Sequence, residues 1–458
     1  MTVICWFRRV LRLDDHPALI AAAKAGAVIP LVILDPAEAA DHPASAMRQA
    51  LSLPRLDASL RQRGSRLIVR RGTPAEVIEA VLRDTGATQI HASTGFPFAS
   101  DHGLRAAVER GRASLHLHPL ADLVERASLR TQTGGPYKVF TPFWKALRQQ
   151  DIAPPQDAPR LSSPDDWPDS DGLDWPEARA AMDRGWDVVA RHTRPGEDEA
   201  HARLSEFLDG PLPDYDTHRN HPFRPRATSG LADALAVGEI SARRVWHRAL
   251  PAFQDGRAGA EGFLSELAWR EFARDLLHES PQMDQRCWRE EWDRFPWKRD
   301  NADAECWRRG QTGVAMVDAG MRELYATGRM HNRVRMITAS YLTKHLLTHW
   351  RVGLDWFARC LTDWDPASNA MNWQWVAGCG PDASPFFRVF NPDGQGDKFD
   401  PKCAYRDHWM RPTGEGARDF AAAAPRSWKI DLTRRAVPSI SLAQGRARAL
   451  TAYEDLKS

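Results

Sequence analysis

The sequence is poor in cysteine, and the spacing of its few cysteines excludes several kinds of site. Only 6 of the 458 residues are cysteine, and no two of them form a Cys-x-x-Cys pair. Such scattered thiols argue against a zinc site, an iron–sulfur cluster and the disulfide framework of a secreted protein. We therefore predict that the protein holds no metal.

Long apolar runs and a strong net charge are missing as well. No charged-then-apolar leader opens the chain and no segment reaches membrane-spanning length, so we expect a cytoplasmic protein without a membrane partner. Because the formal net charge is only +2, any nucleic-acid surface has to be a local patch. Two arginine clusters could meet phosphates, although a solvated helix face is the simpler explanation for either cluster alone. They are Arg219, Arg224 and Arg226, and Arg243, Arg244 and Arg248.

The usual dinucleotide fingerprint is also absent, since no Gly-x-Gly-x-x-Gly follows the first predicted strand. The amino-terminal part instead alternates short β-prone runs with helix-like stretches. This alternation predicts a doubly wound parallel sheet. The predicted strands are residues 3–7, 27–34, 66–70, 88–92 and 114–117, and the clearest helices among them are residues 18–25 and 74–83.

The remainder of the chain differs in composition and in periodicity. Between about residues 151 and 195 proline, aspartate, serine and glycine predominate, which is typical of a connector. Beyond about residue 197 the apolar periodicity is helical, as in residues 263–277, 315–325 and 331–350. We therefore predict an α/β fold plus an all-α fold in three parts. These are an α/β domain (1–130), an interdomain connector (131–200) and a helical domain (201–458).

Residues 363–375, DWDPASNAMNWQW, form the most informative segment. Carboxylates and amides are costly to bury unless each finds a partner, so keeping them beside three tryptophans indicates an aromatic and polar ligand. A flavin meets that description. Together with the continuation VAGCGPDASPFFRVFNP, the segment resembles the flavin-binding core of the DNA photolyase and cryptochrome family. The resemblance is greatest to the class I cyclobutane pyrimidine dimer photolyases and extends over nearly the whole chain.

The resemblance implies an amino-terminal domain that holds a light-harvesting pigment and a helical domain that holds FAD. The family's phosphate-binding segment matches residues 228–232, where hydroxyls and free amides precede a helical run. Read alone, such a segment would be an ordinary helix cap. The chain departs from the family at Gly230 and Ala232, and Ala232 lacks a hydroxyl. The expected flavin contacts in this part are Tyr215, Thr228, Ser229, Gly230, Leu231 and Ala232.

Two further segments match the family's lesion and DNA side. Helical spacing places Glu266, Trp269 and Arg270 on one face, and by resemblance the glutamate and tryptophan line the cavity for an extruded dimer. In the family the residues that match Asn332, Arg333 and Met336 also lie at this side, although Met336 alone would suggest core packing. Arg219 belongs to the expected DNA contacts as well. By resemblance Arg335 pairs with Asp363 beside the flavin.

Asn369 and three tryptophans carry the expected redox chemistry. By resemblance the Asn369 amide oxygen accepts a hydrogen bond from reduced flavin N5, and Asp365 bonds the flavin's polar edge. The resemblance also assigns Trp307, Trp350 and Trp373 to an electron-transfer relay from the surface to the flavin. Any one of these tryptophans alone would more often be a packing residue. The predicted catalytic set is Glu266, Trp269, Met336 and Asn369.

The expected activity is light-driven splitting of cyclobutane pyrimidine dimers in single- or double-stranded DNA by a monomeric flavoprotein. Two alternatives stay open, a (6-4) photolyase and a cryptochrome-like photoreceptor. No histidine pair surrounds Asn332 and Met336, which argues against (6-4) chemistry. The antenna pigment could be a folate, a deazaflavin or another flavin. The folate-binding type often has a glutamate in the part that matches residues 94–101, and these residues do not identify the pigment here.

Overall fold

The computed structural model describes residues 1–94, 103–125, 128–224, 226–383 and 387–458. Most of the segment considered for the antenna pigment, residues 95–101, lies outside these ranges. Within them, five strands form one parallel sheet in the order β3-β2-β1-β4-β5. The strands are β1 (Thr2–Trp6), β2 (Ala27–Leu34), β3 (Ile68–Arg71), β4 (Gln89–Ser93) and β5 (Ser114–His118). Strand order reverses at β1, so the predicted doubly wound sheet is confirmed.

Side-chain alternation along β1 explains why helices cover both faces of this sheet. Val3 and Cys5 belong to one buried cluster, while Ile4 and Trp6 belong to a second cluster on the opposite face. The covering helices are α1 (Pro17–Ala25), α2 (Pro36–Asp41), α3 (Pro43–Arg61), α4 (Pro74–Thr85) and α5 (Leu104–Arg110). All five predicted strands and both predicted helices are therefore present, with ends shifted by at most two residues.

The segment between the sheet and the helical part is only partly irregular. It contains α6 (Phe140–Leu147), α7 (Pro176–Met182) and α8 (Gly185–Ala190). Four residues of α6 are buried, and its Phe143 and Leu147 join the core of the helical part. The connector therefore contributes packing to the helical part besides linking it to the sheet.

The carboxy-terminal part is helical, as the periodicity predicts. Its helices are α9 (Glu197–Asp209), α10 (Tyr215–His218), α11 (Ala232–Val237), α12 (Ala242–Gln254), α13 (Ala260–Glu279), α14 (Ala302–Arg308), α15 (Ala315–Thr327), α16 (Asn332–Ser340), α17 (Trp350–Cys360), α18 (Pro366–Ala377), α19 (Pro392–Phe399), α20 (Ala404–Met410), α21 (Glu415–Ala423) and α22 (Leu442–Lys457). Across the described ranges, no helix is both long and apolar enough to cross a bilayer.

The helical periodicity over residues 331–350 does not correspond to one continuous helix. Helix α16 ends at Ser340, and a π-helical turn over Tyr341–His345 follows before α17 begins at Trp350. In the turn, the Thr343 hydroxyl donates to the Ala339 carbonyl and the buried Lys344 ammonium donates to the Ala377 carbonyl. Because both helices and the turn pack on one core, the apolar pattern continues through the break and conceals it.

A buried charge network joins the sheet domain to the helical part. Arg48 of α3 donates to Asp233 of α11 at 3.0 Å and also pairs with Glu239. Arg203 and Arg329 donate to the same aspartate. Burial alone would raise the pKa of Asp233, but the arginines outweigh it and lower that pKa. The carboxylate is therefore held ionised between three guanidinium groups.

The second arginine cluster also serves this junction. Arg243 pairs with Asp15, and Arg244 donates to Asp14 at 2.7 and 2.9 Å. Asp14 and Asp15 lie in the turn before α1. These two arginines are therefore neutralised within the protein, and the predicted role of their cluster as a phosphate patch is not supported.

Candidate functional site

One large cavity lies within the helical part. Its volume is about 760 Å³, which is within the usual range for cofactor pockets. Its walls come from α10, the segment before α11, α13, α16 and α18. All of the predicted flavin contacts line it, namely Tyr215, Thr228, Ser229, Gly230, Leu231, Ala232, Arg335, Asp363, Asp365 and Asn369. The fold thus brings together residues that are up to 154 positions apart, from Tyr215 to Asn369.

Most of the predicted lesion and DNA residues face the same space. Those that line the cavity are Arg219, Glu266, Trp269, Arg270, Asn332 and Met336. Arg333 is not among the lining residues, because its guanidinium turns away to donate to Asn220 Oδ1 at 2.8 Å. It lies over the Phe399 ring, 4.6 Å from the ring centre. Of the three residues expected together at this side, Asn332 and Met336 therefore line the cavity and Arg333 does not.

The amino terminus of α18 fixes the floor of the cavity. Asp365 is the N-cap, and its Oδ1 accepts a hydrogen bond from the Ser368 amide at 2.9 Å. Its Oδ2 accepts one from Arg274 at 3.1 Å. Burial would raise the pKa of Asp365, but Arg274 and Arg270 bring it down to about 2. Asp365 is therefore an ionised anchor of the helix as well as a lining residue.

Asn369 lies one turn further along α18 and is oriented by a backbone contact. Its Nδ2 donates to the Leu354 carbonyl at 3.1 Å. Because the amide nitrogen is used in this way, Oδ1 is the atom left to interact with a ligand. The side chain is buried and lines the cavity. This orientation suits acceptance of a hydrogen bond from a donor in the cavity.

The predicted pair of Arg335 and Asp363 is confirmed. Arg335 Nη2 donates to Asp363 Oδ2 at 2.7 Å, while Arg335 Nε donates to the Met330 carbonyl. The other carboxylate oxygen, Asp363 Oδ1, is buried and has no hydrogen-bond partner among the described residues. A buried acceptor without a partner is costly. The site therefore fits a ligand that carries a hydrogen-bond donor, as the flavin moiety does.

The segment before α11 supplies a polar wall. Thr228 and Ser229 line the cavity, and α11 begins at Ala232, as the sequence predicts. Gly230 has a φ of +64°, which a glycine adopts without strain. Its carbonyl accepts a hydrogen bond from Arg203. The departure from the family at Gly230 therefore coincides with a left-handed backbone position.

An aromatic stack supports the part of the cavity wall that Trp269 forms. The Trp269 indole lies against the Phe140 ring, with centroids 3.7 Å apart and planes inclined by 9°. Phe140 begins α6 and is buried. The sequence analysis missed this residue. The only signal for it is the aromatic run in residues 137–144, which could not indicate a partner 129 positions away.

One histidine lines the cavity beside Asn332. His331 is the N-cap of α16, where Nδ1 accepts a hydrogen bond from the Arg333 amide at 3.2 Å. Burial is the main cause that lowers the pKa of His331 to about 4. The imidazole is therefore neutral near pH 7, and no second histidine lines the described cavity.

The three relay tryptophans are all buried. Trp307 and Trp350 have 0% exposed surface and Trp373 has 2%. The Trp307 and Trp373 rings are 6.1 Å apart, and the Trp307 Nε1–H donates to the Thr338 carbonyl. Trp373 also packs onto α17, because a Cβ added at Gly353 would lie 2.0 Å from its ring. None of the three is exposed, so these residues alone do not extend the expected relay to the surface.

A fourth tryptophan extends the ring system toward solvent. Trp297 is partly exposed, and its ring centre is 5.6 Å from that of His349. The His349 ring is in turn 5.5 Å from that of Trp350. Trp297 could not be distinguished from Trp307 in the sequence, because the two tryptophans differ in exposure, which a sequence does not show.

Comparisons with known proteins agree with this architecture. The family model for the FAD binding domain of DNA photolyase matches residues 263–454, and that for DNA photolyase matches residues 3–161. A relative from Agrobacterium fabrum named deoxyribodipyrimidine photo-lyase is 38% identical, over 99% of this chain and 98% of its own length. The chain belongs to the DNA photolyase family. As a member of that family it contains an FAD-binding domain.

Solved photolyase-family structures share the whole fold. A bacterial class III photolyase from Agrobacterium tumefaciens is 38% identical, with a TM-score of 0.86 over 100% of this chain and 98% of that one. A cryptochrome from Synechocystis sp. is 28% identical, with a TM-score of 0.85 over 98% of this chain and 99% of that one. The fold is therefore that of the photolyases and cryptochromes. The resemblance to class I stays a prediction beside this class III relative.

Proposed function

We propose that the protein repairs cyclobutane pyrimidine dimers in single- or double-stranded DNA, using light and reduced FAD. One observation supports this most directly. Residues expected at the flavin and residues expected at the lesion line one continuous cavity of about 760 Å³. Electron transfer falls off steeply with distance, so a donor and an acceptor in one cavity suit this reaction. The names of full-length relatives point to the same activity.

When bound and excited, reduced FAD supplies the electron that splits the cyclobutane ring. The protein's part is to orient the cofactor and to favour its reduced form. The free Oδ1 of Asn369 is placed to accept a hydrogen bond from a protonated ring nitrogen. Asp363 Oδ1 offers a second acceptor, held in place by Arg335. Thr228 and Ser229 provide hydroxyl and amide donors for the diphosphate.

The lesion side offers a stacking surface and a bridged carboxylate. Phe140 covers one face of the Trp269 indole, so a base extruded from DNA can stack only on the other face. Glu266 is held by Arg219, at an Nη2 to Oε1 distance of 2.5 Å. A dimer stacks poorly in duplex DNA, and extruding it therefore costs less than extruding intact bases.

The tryptophans serve reduction of the cofactor and not repair itself. We place Trp373 nearest the flavin, because it alone of the four lines the cavity. Trp350 follows on α17, and Trp297 is the end nearest to solvent, reached through the His349 contact. Trp307 is a buried neighbour of Trp373 with no described route of its own to the surface.

Two other functions compete with this proposal. A (6-4) photolyase would need a proton-donating group, but His331 is neutral and occupied as a helix cap. A cryptochrome-like photoreceptor is favoured by the similarity to the Synechocystis sp. structure. Both alternatives predict different behaviour toward a cyclobutane dimer, so DNA binding and repair distinguish them.

An antenna pigment is also part of the proposal, although its identity stays open. A small cavity of about 40 Å³ lies at the carboxyl ends of β1 and β4, between the sheet and the helical part, and Arg8 and Thr94 contribute to its walls. The residues that continue from Thr94 lie outside the described ranges. An absorption spectrum of the purified protein separates the candidates, since a folate absorbs in the near ultraviolet and a deazaflavin in the blue.

Equilibrium binding in the dark tests the proposed substrate. The native holoprotein is titrated against matched oligonucleotides with and without one cyclobutane dimer, at several salt concentrations. We expect tighter binding to the damaged strand and a general loss of affinity as salt rises, because phosphate contacts release counterions. Equal affinity for damaged and intact DNA would favour the photoreceptor.

A further inference from the structure

Two buried cysteines lie beside the middle tryptophan of the proposed relay. The Trp350 Nε1–H donates to Cys287 Sγ at 3.4 Å. Cys379 lies close enough to influence Cys287 electrostatically, and its own Sγ donates to the Gln374 carbonyl at 3.9 Å and to Gln374 Oε1 at 3.7 Å. Both residues are free thiols and both are buried, at 7% and 0% exposure. Sulfur therefore contacts an oxidisable indole here. Neither cysteine belongs to any of the sites predicted from the sequence.

The surrounding contacts hold the two sulfurs in place. The Arg289 amide donates to the Cys379 carbonyl at 3.0 Å, and the Trp288 amide donates to Gln374 Oε1 at 2.7 Å. These bonds fasten the segment that follows Cys287 to the end of α18. The Gln374 amide also donates to two carbonyls of residues 283 and 286. The main-chain segments that carry the two cysteines are therefore held side by side.

The two thiols differ in acidity in a way that suits stepwise oxidation. The neighbouring Cys379 side chain is the main cause that lowers the pKa of Cys287, ahead of the opposing effect of burial. Burial raises the pKa of Cys379. The Lys344 side chain lies close enough to influence Cys379, and its Nζ donates to the Ala377 carbonyl. The hydrogen bond from Trp350 also lowers the pKa of Cys287, and a sulfur with more thiolate character is oxidised more readily.

We propose that Cys287 and Cys379 form an internal dithiol reductant. It returns an electron to the oxidised Trp350 ring and so reduces the flavin through the relay. This inference rests on the proposed relay. Each electron that passes along the relay to the flavin leaves Trp350 oxidised by one electron. An electron from a sulfur then reduces Trp350 again. The first electron leaves Cys287, and the second leaves the sulfur pair as the S–S bond forms.

The overall reaction balances without an external donor. Two S–H bonds break and one S–S bond forms, which releases two electrons and two protons. Oxidised flavin takes both electrons and one proton to become the reduced anion, and the other proton leaves to solvent. Trp350 is unchanged at the end. A small-molecule thiol then restores the dithiol by exchange at Cys287, the less buried of the two sulfurs.

Thiol counting under illumination tests the inference. Holoprotein with oxidised flavin and reduced cysteines is freed of external thiol, kept without oxygen and exposed to blue light. It is then denatured in an alkylating reagent and analysed by mass spectrometry. We expect flavin reduction with loss of two of the 6 thiols and one Cys287–Cys379 crosslinked peptide per flavin reduced. Dark samples should keep all of their thiols.

Variants separate the dithiol from the relay. Cys287→Ala should abolish the crosslink and make flavin reduction dependent on added thiol, whereas Cys403→Ser, in the turn before α20, should behave as the native protein does. Trp350→Phe should prevent both flavin reduction and thiol loss. Flavin reduced without external donor while all thiols of the native protein stay free would overturn the inference. Absence of photoreduction even with added thiol would instead overturn the relay.

Discussion

Arg219 and Glu266 form an ion pair inside the cavity, between the end of α10 and the middle of α13. Arg219 Nη2 donates to Glu266 Oε1 at 2.5 Å, and the guanidinium also lies over the Tyr215 ring. A free carboxylate would repel a dimer that has gained an electron. The arginine compensates the negative charge, and the glutamate stays available to orient the dimer through its second oxygen.

We expect Glu266→Gln and Arg219→Gln to have different effects on repair. The Glu266→Gln variant keeps a polar group at the dimer and should retain most of the repair yield per absorbed photon. The Arg219→Gln variant leaves an uncompensated carboxylate, so its repair yield should fall several-fold with flavin content unchanged. Repair yields of reduced enzyme under single-turnover illumination measure both. An unaffected Arg219→Gln variant would contradict this role of the ion pair.

The stack of Phe140 and Trp269 should determine preference for the lesion. Loss of base stacking costs about 1–3 kcal/mol per base, so Trp269→Ala should lower affinity for dimer-containing DNA by about ten-fold or more. Phe140→Ala should have a smaller effect in the same direction, because the indole loses its support. Arg333→Ala should weaken the binding of damaged DNA and of intact DNA alike. Titrations with both oligonucleotides measure these changes, and a Trp269→Ala variant with native preference would be contrary evidence.

The relay can be tested by comparing two tryptophans that are ten positions apart. We expect Trp297→Phe to slow photoreduction of oxidised flavin by external thiol severely, because it removes the end of the relay nearest to solvent. Trp307→Phe should slow it less, since that ring is fully buried. Repair by enzyme reduced beforehand should survive both substitutions. The reverse order of effects would instead support the relay of Trp307, Trp350 and Trp373 that the sequence resemblance implies.

His331 should make stability depend on pH in one direction. Its pKa in the folded protein is about 4, below the ordinary value of 6.5, and burial is the main cause. As pH falls, the unfolded chain therefore binds the proton before the folded protein does. The contribution of His331 to the free energy of unfolding is fully present above pH 6.5 and is lost as pH falls toward 4. The loss is at most about 1.4 kcal/mol per pH unit. His331→Asn keeps a capping side chain, and urea unfolding should show a flatter pH dependence for it.

Local patterns predicted most of the fold, and the family resemblance predicted much of the cavity. The five strands follow from short apolar runs, whereas the pair of Arg335 and Asp363, which belong to two separate segments, was implied by the resemblance. Three features depend on the folded structure and could not be predicted. Phe140 reaches Trp269 across 129 positions, the chain breaks its helix over Tyr341–His345, and the exposure of Trp297 depends on how neighbouring segments pack.

Photorepair of defined lesions tests the central claim most directly. Oligonucleotides that carry one cyclobutane dimer or one (6-4) product are mixed with fully reduced holoprotein, exposed to blue light and separated by chromatography, with dark controls. The cavity offers Glu266, Trp269, Asn332 and Met336 but no charged histidine. We predict that light restores the pyrimidines of the cyclobutane dimer and leaves the (6-4) product intact. Repair of the (6-4) product alone, or of neither lesion, would contradict the proposed function.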